Sequence, residues 1–365
     1  DVPSGTKRHY MLLCCICTQR LASSSAPAAQ RFHSFVACSC CMPLFEKRVN
    51  LKPYQYPHLL KFKTAIRQSY WVHDEFNFEG DVQDFHVNCS DVERSVITRT
   101  MLAIAQIEVS VKTFWADIYK RLPVPEVGAV GMTFAESEVR HLDAYSHLLE
   151  LLGLNDAFEE VEEIPALRDR IAYLEDTLQA ADSADKRDFA LSILLFSIFI
   201  EHVSLFSQFL IMLSFDKHEK RFKGVANAVE ATSKEEQIHG LFGVELIGVM
   251  REEYPEWFGN EFEHRVVEAC RKAYSAEKKV LDWIFEKGEL DFLPRPVIDA
   301  FLRDKFNTSL DYVEVDPLFE VDDDMLAETR WFYEEILLTK GNDFFSKRGT
   351  SYSKMTQSVS GDDLF

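Results

Sequence analysis

Ser137-Glu138-Val139-Arg140-His141 and Lys234-Glu235-Glu236-Gln237-Ile238-His239 each contain a Glu-x-x-His motif. On an α-helix, residues i and i+3 share a face, so each motif aims one oxygen and one nitrogen donor at the same point. A lone carboxylate lies upstream of each motif in apolar surroundings, Glu108 before the first and Glu201 before the second. Four carboxylates and two imidazoles, presented by helices, are the ligand set of a dinuclear metal–carboxylate site in a helical bundle.

Glu-x-x-His alone is a weak signal that arises by chance. Glu261-Phe262-Glu263-His264 is a third match, with no lone carboxylate in an apolar helix ahead of it, and His264 reads as a surface residue. The bland reading of the first two motifs is a solvated helix face. Against it, Phe134 and Tyr145 share the face of Glu138 and His141, and Leu241, Phe242, Val244 and Leu246 follow His239. Glu108 stands among Leu102, Ile104, Ile107, Val109 and Val111, where a carboxylate is costly unless paired or metal-bound. Oxygen-rich ligation with one His per metal suits Fe or Mn better than structural zinc. Such a pair can reduce an oxygen species in two-electron steps. Tyr145, one turn after His141, is either a radical site or a packed core tyrosine.

Outward from the motifs the pattern is helical. Ser90 or Asp91 caps a stretch running to about Lys120, and Leu122-Pro123-Val124-Pro125 ends it. Further helices are expected at about 133–152, 164–181, 186–215, 224–253 and 262–287, with short helices after them. Few segments alternate with period two and no Gly-rich phosphate loop occurs, so the chain reads as all-α. The stretch from Ala190 to Phe215 has the apolarity of a membrane span but contains Glu201, His202 and Gln208. It reads as the buried central helix of a bundle. A net charge of −20 argues against nucleic acid or an anionic membrane as partner.

Composition breaks at Met42. Residues 1–41 hold six of the eight cysteines and one acid, Asp1. They are expected to stand outside the fold as translated upstream sequence, with a transit peptide as the runner-up. A zinc site from the two cysteine clusters is the least favoured reading there. Few cysteines elsewhere fit a reducing compartment, and a cytoplasmic location is expected unless 1–41 is a transit peptide. A metal-binding domain over 42–346 and a polar tail over 347–365 follow. The tail ends in Asp362-Asp363-Leu364-Phe365, which has the look of a docking peptide.

Together these residues resemble the small, radical-generating (beta) subunit of class I ribonucleotide reductase, over about residues 42–365. Ser137-Glu138-Val139-Arg140-His141 with Tyr145 resembles the family's first ligand motif and its radical tyrosine. Lys234 to His239 resembles the second motif, while Glu108 and Glu201 match the remaining carboxylates. Tyr70-Trp71-Val72, before Glu75, resembles the segment with the radical-transfer tryptophan. Tyr352 resembles the tyrosine that relays the radical between subunits. Glu235 stands where the family usually has Asp, the partner of that tryptophan. Glu108 in place of the Asp of many di-iron members, with Phe45-Glu46-Lys47-Arg48-Val49-Asn50 and Glu108-Val109-Ser110-Val111-Lys112, looks most similar to the manganese-using subclass Id.

The resemblance implies a ferritin-like helical bundle that forms a homodimer. It implies two metal ions per chain, manganese favoured and iron as the alternative. Their ligands would be Glu108, Glu138, His141, Glu201, Glu236 and His239. An oxidising equivalent held at the metals, at Tyr145 or at both would pass through Trp71 and Tyr352. A large (alpha) subunit, docked by the tail, would use it to reduce ribonucleotides. The competing reading is a ferritin-like di-metal oxidase acting on a small apolar substrate. It would need an apolar tunnel and would lack the docking peptide. A ferritin-type store would be far shorter, and a purely structural bundle would bind no metal.

Overall fold

The computed structural model describes residues 43–337. The expectations placed on 1–41 and on the tail, Tyr352 and Asp362 to Phe365 included, lie outside the described residues. Eight longer helices carry the fold: α1 (Leu60–Gln68), α2 (Asp91–Arg121), α3 (Pro125–Leu151), α4 (Pro165–Ala181), α5 (Lys186–Glu219), α6 (Lys223–Glu253), α7 (Asn260–Ile284) and α8 (Arg295–Asp311). No strand occurs among the described residues beyond an isolated bridge between Leu290 and Leu293.

Local chemistry sets the helix starts. Ser90 accepts from the Glu93 backbone N–H while the Glu93 carboxylate takes the Ser90 N–H, a capping box that opens α2. Pro125 is the first residue of α3, where a missing N–H costs nothing. The expected start at about 133 is therefore too late, because Pro125 begins a helix rather than merely ending the preceding one. Glu126 in that first turn accepts from the backbone N–H groups of Gln55 and Tyr56 and pairs with Arg48. At the start of α6, buried Asp81 accepts from the N–H groups of Gly224 and Val225. A side chain on Gly224 would run into Asn77 and Asp81.

Helices α2, α3, α5 and α6 close a four-helix ring in which α2 packs on α3 and α5, and α6 packs on α3 and α5. Helix α5 is long and apolar enough to cross a membrane, but its apolar 18-residue core is wholly buried in protein, as in a central helix. Its middle, Phe196–Ser204, is π-helical, which the sequence reading did not anticipate. Helices α4 and α7 dock outside. Buried Arg170 of α4 lies 3.5 Å from Glu277 of α7 and donates to Gln106 of α2, at 3.1 Å, and to the Ala103 carbonyl. A buried pair of this kind is costly to break from one side. Leu60–Gln68 forms a helix on which the sequence reading made no statement, and Arg295–Asp311, expected among short helices, is a full helix of 17 residues.

Close backbone approach between α5 and α6 depends on small residues. A Cβ on Gly243 would overlap the Ser197 side chain of the π-helical segment. Gly243→Ala is expected to destabilise by roughly 1–3 kcal/mol through overpacking, with the loss largely recovered in the double variant Gly243→Ala/Ser197→Gly. Thermal unfolding of the metal-free variants measures both. An unshifted Gly243→Ala midpoint would show that the contact yields freely.

Candidate metal centre

The four-helix ring brings all six expected donors to its axis. Glu108 comes from α2, Glu138 and His141 from α3, Glu201 from the π-helical part of α5, and Glu236 and His239 from α6, each 1 % exposed or less. They fall into two groups, each with its ligand atoms within 4.8 Å of one another. One is Glu108, Glu138, His141 and Glu236; the other is Glu138, Glu201, Glu236 and His239. Glu138 and Glu236 belong to both. His141 Nδ1 lies 2.9 Å from Glu236 Oε1 and 3.5 Å from Glu138 Oε2. His239 Nδ1 lies 3.0 Å from Glu138 Oε1 and 3.3 Å from Glu236 Oε2. Each shared carboxylate thus turns one oxygen to each imidazole, the disposition of a bridging ligand.

The donors fit cations on chemical grounds. Apart from contacts with one another, both oxygens of Glu108, Glu138 and Glu236 and the Nδ1 atoms of His141 and His239 are buried without a hydrogen-bond partner among the described residues. Buried polar atoms are rarely left so. Burial, and then the charges of Glu236 and Glu138, push the Glu108 and Glu201 carboxyls well above the usual range. Burial works against protonation of His141 and His239, yet the surrounding carboxylates hold both well above the ordinary imidazole value. Left alone, the cluster gathers protons to offset its charge. Two cations do the same and release those protons.

A second layer of contacts orients the donors. Trp115 Nε1 donates to Glu201 Oε1 at 2.8 Å. Ser137 Oγ lies 3.0 Å from His239 Nε2, and Phe134 packs on the same ring. Glu235, fully buried beside Glu236, reaches His141 Nε2 at 2.8 Å and accepts from Trp71 Nε1 at 3.1 Å. The Glu235 side chain therefore spans to Trp71 despite standing where Asp was expected. Arg140 secures it, with Nη1 and Nη2 at 3.2 and 3.1 Å from its two oxygens, and Nη1 also donates to the Trp71 carbonyl at 3.1 Å. Burial weakens the Arg140 charge, but Glu235 and Glu136 more than offset that.

Trp71 is buried and stacks on His141 at 5.9 Å between ring centroids. Tyr145 is fully buried, and burial, followed by the Glu108 charge, raises its phenol above its usual value, so it rests protonated. His264 is exposed and joins neither ligand group, as its sequence context suggested. Trp115, Ser137 and Arg140 carry roles the sequence reading did not assign. Trp115 was not singled out, and Ser137 and Arg140 were only members of a quoted motif.

Removing the donor to Glu201 tests this layer. Trp115→Phe is expected to keep the fold and weaken metal binding roughly 10–100-fold, the usual cost of losing an outer-shell partner. Titration of metal into the metal-free protein measures it. Unchanged affinity would mean that Glu201 is held by the helix alone.

A model of the "Ribonucleotide reductase, small chain" family matches residues 48–325, a span that includes all six donors and Trp71. A probable ribonucleoside-diphosphate reductase small subunit of Invertebrate iridescent virus 3 is 25% identical over 334 residues, covering 87% of each chain. Among solved structures, the dimanganese(II)-NrdF of Streptococcus sanguinis superposes with a TM-score of 0.67 at 16% identity, covering 78% of this chain and 99% of that one. The ribonucleotide reductase Rnr4 homodimer of Saccharomyces cerevisiae gives 0.65 at 16% identity, covering 76% and 87%. These structural likenesses bear out the all-α, ferritin-like fold. On the span of the family match, the chain belongs to the ribonucleotide reductase small-chain family.

Proposed function

We propose that the chain, as the small subunit of a ribonucleoside-diphosphate reductase, uses a manganese-containing metal pair of the subclass Id kind. The observation that carries the functional reading is the pair of donor groups sharing Glu138 and Glu236, wired by hydrogen bonds from His141 through Glu235 to Trp71. Glu108 in place of Asp, and the dimanganese description of one structural relative, favour manganese over iron. When bound, the metal pair supplies the oxidising power, drawn from an oxygen species.

The protein's own groups then have defined tasks. Glu138 and Glu236 would hold the two cations, with Glu108, Glu201, His141 and His239 as the remaining ligands. Donation by His141 Nε2–H to Glu235 fixes the tautomer that leaves Nδ1 free for metal. Trp71 gives up an electron while Glu235, gripped by Arg140, holds the indole proton in place. Tyr145 can hold the oxidising equivalent only by shedding its phenolic proton, because its buried hydroxyl rests protonated. The homodimer implied by the family resemblance is part of this reading, and Met132 and Val139, exposed and two turns apart on α3, are apolar side chains such a partner could cover. The tail, with Tyr352 and the terminal Leu364-Phe365, is assigned to docking on the large subunit and to relay. Residues 1–41 are assigned no part in either.

Metal analysis with electron paramagnetic resonance on protein reconstituted with Mn, Fe or both tests the metal assignment. About two equivalents per chain are expected, falling to about one or less in His141→Ala or His239→Ala and unchanged in His264→Ala. Activity with iron alone equal to that with manganese overturns the manganese assignment, and full occupancy after both ligand changes overturns the site.

Deletion from Ser360 onward is expected to leave metal content intact and abolish ribonucleotide reduction with the large subunit, because the apolar end is the anchor of an otherwise polar segment. Wild-type turnover of the truncated chain would place docking elsewhere.

A further inference from the structure

Trp71 lies inside the protein, yet an oxidising equivalent bound for another subunit must reach the surface. Its indole N–H is occupied by Glu235. The rings described around it and around Arg140 are Phe76, His141 and Tyr70. Phe76 is too hard to oxidise, and His141 lies on the metal side. Tyr70 differs in every respect. It is the sequence neighbour of Trp71 in the non-helical link between α1 and a short 3-10 turn, and it is 43% exposed where Trp71 is buried. Arg140 lies beside both rings, its guanidinium carbon 4.6 Å from the Tyr70 centroid and 5.7 Å from that of Trp71.

We propose that Tyr70 is the surface redox relay that takes the oxidising equivalent from Trp71. The inference rests on the assignment of Trp71 to electron transfer made above. In the step, one electron passes from Tyr70 to oxidised Trp71, which returns to its closed-shell state with its N–H still held by Glu235. The phenolic O–H bond of Tyr70 breaks and its proton goes to solvent water, leaving a neutral phenoxyl radical. The group oxidised next, in the large subunit or the tail, returns an electron and a proton to Tyr70. The geometry fits this sequence. The fixed positive charge of Arg140 beside the ring disfavours a cationic phenol radical, so the proton leaves with the electron, and exposure gives the proton somewhere to go. Arg140 is bound at the same time to the Trp71 carbonyl and to Glu235, so donor and acceptor are mounted on one rigid group.

A merely structural Tyr70 would shield the Arg140–Glu235 pair by stacking, which phenylalanine does equally well. The test is therefore Tyr70→Phe in the metal-loaded chain, assayed with the large subunit. Metal content and large-subunit affinity are expected to stay at wild-type values while turnover falls by about tenfold or more. In parallel, 3-aminotyrosine at position 70 is expected to trap an aminotyrosyl radical, seen by electron paramagnetic resonance when large subunit, substrate and effector are added. Trp71→Phe separates the two readings. If Trp71→Phe is inactive while Tyr70→Phe turns over normally and the aminotyrosine stays silent, the relay at Tyr70 is overturned and Trp71 stands. If Trp71→Phe itself turns over normally, both assignments fall.

Discussion

Surplus negative charge in a dry interior is the constraint around which this molecule is arranged. Four glutamates and two histidines meet on the axis of a four-helix ring, none more than 1 % exposed. Burial of isolated carboxylates costs far more than a domain's net stability, so the cluster persists only with its charge offset. Protons can offset it, as the raised carboxyl and imidazole values indicate, but cations match the donor geometry better, with two carboxylates each turned toward both ends. The rest of the bundle keeps this arrangement from relaxing. Glycines let α6 approach α5 and α3 approach α2, while Arg170 ties the outer helices to the ring.

The same electrostatic reasoning reaches outward to Glu235. A fifth buried glutamate beside the cluster would add to the surplus if it were not matched. Arg140 matches it from one side, Trp71 and His141 donate from the others, and the carboxylate becomes a junction rather than a liability. The longer side chain of Glu, compared with the Asp expected there, is accommodated because a long guanidinium grips both its oxygens.

Much of this was legible in the sequence, for identifiable reasons. Glu108 and Glu201 declared themselves by standing in apolar runs, and the motifs by helical spacing. Ser90 or Asp91 marked the start of α2, and the capping box picks out Ser90. What could not be read depends on relations between helices. Nothing local says that Glu138 and Glu236 face both ends, since that follows from how α3 and α6 cross. Trp115 has the appearance of any core aromatic until its indole N–H is seen against Glu201. Arg140 sits inside a motif defined by its neighbours. The boundary missed at Pro125 reflects the two meanings of proline, which stops one helix and suits the first turn of the next. The π-helical run is a uniformly apolar stretch with no spacing to betray it.

That π-helical run has a consequence for how the chain tolerates length changes. A π turn takes up more residues than an α turn, so Phe196–Ser204 acts as slack within α5. The α-helical parts on either side keep their own rotational phase against α4, α6 and α8, and Glu201 is presented from the widened stretch between them. Shortening the stretch by one residue would regularise it to α geometry, at no loss of backbone pairing. Because the wide turn already absorbs that residue, the flanking parts would keep their phase, and the shift would fall on the side chains inside the stretch, Glu201 among them. Helix continuity and ligand placement are thus set by different features of the same segment, and a deletion that improved the first would dismantle the second.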